Sequence, residues 1–146
     1  MTRSKRMAPV KDLAEERERE AGAEVAQARR ALEDAERQLN QLKAYRAEYL
    51  ERKSQGDSDG VRMQNYHAFL GRLSTAIEQQ DKEVVVVLAA LERATDAWRE
   101  RRIEAASIGR AVAKLATGER RVADQHAQRE ADERSIQRVI LNREPR

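Results

Sequence analysis

Apolar residues in this chain return at spacings that alternate three and four, and they do so in two separate runs. From Met63 the series Met63, Tyr66, Leu70, Leu73, Ile77, Gln80, Val84, Val87, Leu91, Ala94, Trp98, Arg101, Ala105, Ile108, Val112, Leu115 proceeds without a slip, and only Gln80 and Arg101 are polar. An earlier run, Ala21, Val25, Ala28, Leu32, Ala35, Leu39, Leu42, Arg46, Tyr49, has Arg46 as its one polar member. A strand would need a period of two, whereas a mean spacing of 3.5 keeps one narrow stripe of a helix facing a partner helix. The chain is therefore read as two helices sharing a coiled-coil seam.

Between the runs lies "SQGDSDG", where Ser, Gly and Asp gather as they do nowhere else. Gly56 can end a helix, and Asp57 or Asp59 can cap the next one. A connection this short turns the second helix back along the first. The fold expected is all-α: a long two-helix antiparallel coiled coil forming a single hairpin over residues 1–146, with helix one at about 7–53, the turn at about 54–59 and helix two at about 60–140. The two Asp residues resemble part of a calcium loop, but the later bidentate Glu is missing, and plain turn chemistry accounts for them.

Helix one is not expected to start much before Met7, because Pro9 lacks an N–H and belongs in a first turn. Helix two should then overhang its partner beyond about residue 110, with Val112, Leu115, Val122, Ile136, Val139 and Ile140 uncovered, and it could bend near Thr117 and Gly118. On the paired part, Ala14, Ala21, Ala28 and Ala35 occupy successive d positions. Two registers set these small residues mostly against large ones. One opposes Ala14 to Trp98 and Lys11 to Arg101; the other opposes Ala21 to Trp98, Ala14 to Ala105 and Glu18 to Arg101. The second is preferred, on the sign of the charges alone.

Composition enters as a check on this reading. With 38% charged residues, 3% aromatics and a mean hydropathy of −0.89, there is too little apolar bulk for a rounded multilayer core. Disorder is the competing outcome for so polar a chain, but disordered segments have no need of strict apolar spacing. The absence of Cys excludes disulfides and thiolate metal sites. "MTRSKRMAPVKD" is basic without an apolar region after it, and no stretch is long and apolar enough to span a membrane, so a soluble cytosolic protein is expected.

The chain carries a net charge of +3, unevenly spread. Basic groups gather at residues 1–11 and 99–121, while 12–98 is acidic overall. Nucleic-acid binding is a weak reading of this pattern, because acids interleave with bases as in "EEREREA" and no aromatic platform accompanies the basic end. Catalysis is weaker still. His126 and Glu130 have i,i+4 spacing, which is half of a metal site, and a solvated face explains them better. There is no Gly-rich phosphate loop and no nucleophile elbow. The expectation is a non-enzyme with no cofactor and no metal.

Four of the five aromatic residues flank the turn. In an antiparallel pair the g positions of both helices border one side of the seam. Tyr45 and Phe69 both fall at g, so their rings should lie on one lateral surface with Gln38 and Ala76, above Leu42, Tyr49 and Leu73 at neighbouring d positions. Such rings should remain largely solvated unless another protein docks on them. They read either as satellite core at the seam's end or as a partner-binding patch, the second being favoured.

Three segments in this order, "SKRMAPVKDLAEERERE", "QLNQLKAYRAEYL" and "NYHAFLGRLSTAIEQQ", resemble the flagellar FliJ family over roughly residues 3–105. The resemblance implies a cytoplasmic stalk, similar to the paired terminal helices of a rotary ATPase γ subunit, in the flagellar type III export apparatus. It implies two partners, the hexameric export ATPase FliI and the export gate FlhA, with export chaperones beyond them. It also implies a place at the flagellar base, peripheral to the inner face of the membrane through those partners only. Carried onto this chain, the gate-binding positions are Gln38, Leu42, Tyr45, Tyr49, Phe69, Leu73, Ala76 and Gln80. Arg3, Lys5, Arg6, Arg99, Arg101 and Arg102, with Ile136 and Ile140 of the overhang, are the residues expected to meet the ATPase ring. "EVVVVLAAL" departs from the pattern, since Val85 and Val86 fall outside the seam. A self-associating scaffold using the C-terminal stripe is the alternative from another class, with a nucleic-acid-binding hairpin behind it.

Overall fold

The structure, a computed structural model, describes residues 1–54 and 60–143. The expected turn with Gly56, Asp57 and Asp59 lies outside the described residues. Two α-helices make up the rest: α1, Arg3–Ser54, and α2, Gly60–Arg143. They pack against each other as an all-α antiparallel pair, the architecture that the doubled heptad run implies.

The pair divides into two compact units. The central unit comprises Arg19–Glu100, and the terminal unit comprises Met1–Glu18 with Arg101–Arg146. In the central unit the seam is built around Leu39, Leu73 and Ile77, with Leu42, Phe69 and Val84 packed on that cluster. Ala21, Ala35 and Tyr66 are buried as well. An added Cβ on Gly22 would stand 3.4 Å from the Trp98 indole nitrogen, so the ring sits beside Ala21 and Gly22 as the second register requires. None of the described side chains is fully enclosed. A seam between only two helices has open flanks, so each core residue keeps one edge toward water.

Gln80, a polar residue at a core position, is held in place by hydrogen bonds across the seam. Its Nε2 donates to the Ala35 carbonyl at 3.0 Å and to Gln38 Oε1 at 3.2 Å. A buried polar group without such partners would destabilise the pair; satisfied in this way, it favours one register over slipped ones.

In the terminal unit the expectation for Pro9 fails. α1 begins at Arg3 and carries Pro9 at the end of its second turn. The ring removes one donor, the one that would have reached the Lys5 carbonyl, and Lys5 is exposed enough for water to take its place. Against that loss, the helix start gains partners for its first turn. Thr2 acts as N-cap, its Oγ1 accepting from the Lys5 N–H at 3.4 Å while its carbonyl accepts from Arg6 N–H at 3.1 Å. From α2, Glu119 accepts from the Ser4 N–H at 2.9 Å and from the Ser4 hydroxyl.

The earlier start moves the overhang. Val112, Leu115, Ala116 and Glu119 are partly buried, so pairing extends to Glu119 rather than ending near residue 110, and every described residue from Arg120 onward is exposed. α2 passes through Thr117 and Gly118 without interruption, Thr117 Oγ1 donating back to the Ala113 carbonyl at 2.9 Å. The expected Glu18 to Arg101 contact does not form. Arg101 pairs with Glu104, three residues along its own helix, at 3.2 Å.

Candidate functional site

The residues that sequence reasoning groups near the turn all lie in the central unit and come together there. Their chemistry begins with four rings. Tyr49 stacks on Tyr66 with centroids 5.0 Å apart, and meets Phe69 at 4.6 Å. Tyr45 meets the same Phe69 edge-on at 5.9 Å. Lys53 places its ammonium 4.3 Å from the Tyr66 centroid, where the ring face attracts a cation. Heptad geometry accounts for the arrangement, since positions d and g of α1 and α2 border one flank of an antiparallel seam.

Burial separates these rings into two kinds. Tyr45 is 48% exposed, with its ring on the open flank. Phe69 is partly buried and packs on the Leu39, Leu73 and Ile77 cluster, so the expectation that both g-position rings are largely solvated holds for Tyr45 and fails for Phe69. A g side chain as long as Phe can fold over the seam edge when the d residues beneath it, here Leu42 and Leu73, leave room. Leu73 is buried, and Leu42, Tyr49, Ala76 and Gln80 are partly buried. Gln38 is exposed but already tied to Gln80. A shallow groove between the helices is lined by Gln38, Gln41, Leu42, Tyr45 and Gln80. It offers one aromatic edge flanked by amide donors and acceptors, which suits a protein surface better than a charged small molecule.

The second group, chosen for the ATPase ring by its basic charge and the uncovered stripe of helix two, is divided. Arg3, Lys5, Arg6, Arg101, Arg102, Ile136 and Ile140 belong to the terminal unit, and Arg99 to the central one, where it pairs with Asp96 at 3.6 Å. Ile136 and Ile140 are 59% and 55% exposed. Arg3 borders an apolar groove whose floor is Met7, Ala111, Leu115 and Gly118.

Sequence reasoning missed the Ser4 to Glu119 clasp. The Ser4 hydroxyl and then the Ser4 N–H, aided by the first-turn groups of Arg3 and Thr2, hold the Glu119 carboxyl below its ordinary pKa against a smaller opposing effect of burial. Its partners are separated by 115 residues in sequence. The only local sign was Thr2 three residues ahead of Lys5, an N-cap spacing obscured by Pro9. Val85 and Val86 are 66% and 59% exposed, while Val84 and Val87 turn into the seam. Among the described residues no helix is long and apolar enough to cross a membrane.

The family model described as flagellar FliJ protein matches residues 3–144. The flagellar FliJ protein of Escherichia coli (strain K12) is 31% identical over 99 residues, which is 66% of this chain and 67% of that protein. The flagellar FliJ protein of Salmonella typhi is 31% identical over 96 residues, 64% of this chain and 65% of its own length.

Proposed function

This chain belongs to the flagellar FliJ family, and from that premise we propose that it is a non-enzymatic stalk of the flagellar type III export apparatus. It links the hexameric export ATPase FliI to the export gate FlhA, promotes assembly of the ATPase ring, and works at the cytoplasmic face of the membrane through those partners. The observation that carries the reading is the exposed Tyr45 ring, standing against Phe69 on a flank to which both helices contribute. A Tyr that touches one ring and leaves nearly half its surface in water adds little to the packing of the hairpin, and Tyr is among the residues that concentrate binding energy at interfaces. The gate is accordingly assigned to the flank of Tyr45, with Gln38 and Gln80 fixing its amide pattern and Leu42, Tyr49, Phe69, Leu73 and Ala76 shaping the surface beneath.

The ATPase is assigned to the terminal unit. Its first turns bring Arg3, Lys5 and Arg6, and α2 brings Arg101 and Arg102, with Ile136 and Ile140 as apolar contacts farther along. Basic charge would steer association, and apolar packing would hold it.

The test is a pair of titrations on Tyr45→Ala. Its affinity for FlhA should fall about thirtyfold, or ~2 kcal/mol, while its affinity for the ATPase stays at the wild-type value. Undiminished FlhA binding would move the gate surface elsewhere, with Val85 and Val86 the next place to look.

A further inference from the structure

A groove in the terminal unit opens beside the clasp, walled by Arg3 and Met7 of α1 and by the stretch of α2 from Ala111 to His126. The heptad identifies its flank. Arg3 falls at g and Met7 at d of α1, while Ala111 and Gly118 fall at g and Leu115 and Val122 at d of α2, so the groove lies along the g side of the seam. A pair of helices leaves this side uncovered, and Ala111, Gly118 and Val122 are exposed, with Met7 and Leu115 only partly buried. The two g residues of α2 are small, and an added Cβ on Gly118 would meet nothing within 4 Å, so a third helix can come close to α2 there.

The floor residues Ala111, Leu115, Gly118 and Val122 follow one another at spacings of four, three and four. From Ala111 to His126 the groove runs roughly 22 Å along α2, about four turns of helix. A helix whose own apolar residues recur at three and four matches that floor. We propose that the groove seats an amphipathic helix of the export ATPase, apolar on the side facing Leu115 and Gly118 and carrying carboxylates at the margin of that side.

Charge selects the carboxylates. Arg3 and Lys114 line the groove, and among the described residues neither side chain is engaged in an ion pair. The one carboxylate among the lining residues, Glu119, is already held by Ser4. An apolar floor beside two uncompensated cations is complemented by an apolar stripe with acids beside it. A bilayer surface does not match, because the floor lies between two helices rather than on an outward face, and two cations are few for a phosphate backbone. The proposal rests on the assignment of the ATPase to the terminal unit and names the place and chemistry of the contact. Arg3 and Arg6, and Ile136 and Ile140 farther along α2, are already assigned to that partner, and the groove joins the two sets within one unit.

Two glycines make the test. Neither Gly118 nor Gly109 has an atom within 4 Å of where a Cβ would stand, but Gly118 lines the groove whereas Gly109 falls at e, on the opposite flank of α2. Gly118→Leu and Gly109→Leu make the same change, and Leu favours helix over Gly, so both should melt at or above the wild-type temperature. In titrations of the full chain against the export ATPase, Gly118→Leu should bind at least about tenfold more weakly than wild type, and Gly109→Leu should bind as wild type does. Lys114→Glu, a change at an exposed position that leaves the seam intact, should also weaken binding, most of all at low ionic strength. Arg6→Glu, outside the groove, reports on the assignment of the ATPase itself. If Arg6→Glu and Gly118→Leu both bind undiminished, that assignment fails and the proposal with it. If Arg6→Glu weakens binding while Gly118→Leu does not, or if both Leu variants weaken it equally, the groove alone is overturned. Undiminished binding by Lys114→Glu would overturn the carboxylate partner.

Discussion

Tyr45 and Phe69 occupy equivalent heptad positions and touch one another, yet the structure gives them different tasks. Tyr45 leaves nearly half its surface in water. Its replacement by Ala removes little buried area, and the melting temperature should stay within a few degrees of wild type. Phe69 covers Leu39, Leu73 and Ile77, so Phe69→Ala uncovers the edge of the seam. The cost should be about 2 kcal/mol, below the 3–5 kcal/mol typical of a fully enclosed Phe because the ring is only partly buried. Chemical denaturation of the two single variants side by side checks this. An equal loss from both would mean that Tyr45 is core and that its value as an interface residue has been overestimated.

At the scale of the element, the start of α1 depends on α2. Thr2 caps from within, and Glu119 supplies a carboxylate from across the seam to donors that the first turn cannot satisfy itself. Because the folded state holds Glu119 below its ordinary pKa, folding releases a proton at pH values between the folded and unfolded pKa. The clasp is therefore fully present above the unfolded value and is lost as pH falls through the folded one. Amide hydrogen exchange at Ser4, Lys5 and Arg6 should accelerate as pH falls below the ordinary carboxylate range, beyond the intrinsic pH effect. Glu119→Gln should show the faster exchange already at neutral pH, with no further acid-dependent step. A variant with wild-type protection at neutral pH would show that Thr2 alone secures the helix start.

At the scale of the whole molecule, the chain combines a paired region that holds itself together with an exposed stretch that does not. Residues 112–119 pack on α1, so a deletion meant to remove the overhang should begin after residue 120. Deletion of 121–146 should leave the melting temperature of the remaining hairpin within a few degrees of wild type, since none of the removed residues that the structure describes is buried. Under the proposed stalk role, the deletion should also abolish stimulation of the export ATPase. Unchanged ring assembly and hydrolysis would place the ATPase contact on the basic first turns instead.

Helix content, the antiparallel pairing and the seam residues could be read from the chain by itself, because a spacing of 3.5 is a local property that each heptad states again. Leu39, Leu73, Ile77 and Tyr66 are buried where that spacing puts them. Family resemblance was legible in the same way, through the order of short segments. Tertiary structure decided what depends on contacts between distant residues. It set the first turn of α1, which starts ahead of Pro9 with Ser4 hydrogen-bonded to Glu119 across the seam. It also chose between registers one heptad apart, which have the same apolar pattern and differ only in which side chains meet. The split between Tyr45 and Phe69 is of this kind too, because a heptad label states the direction of a side chain from its helix and says nothing of how far the facing residues let it fold inward.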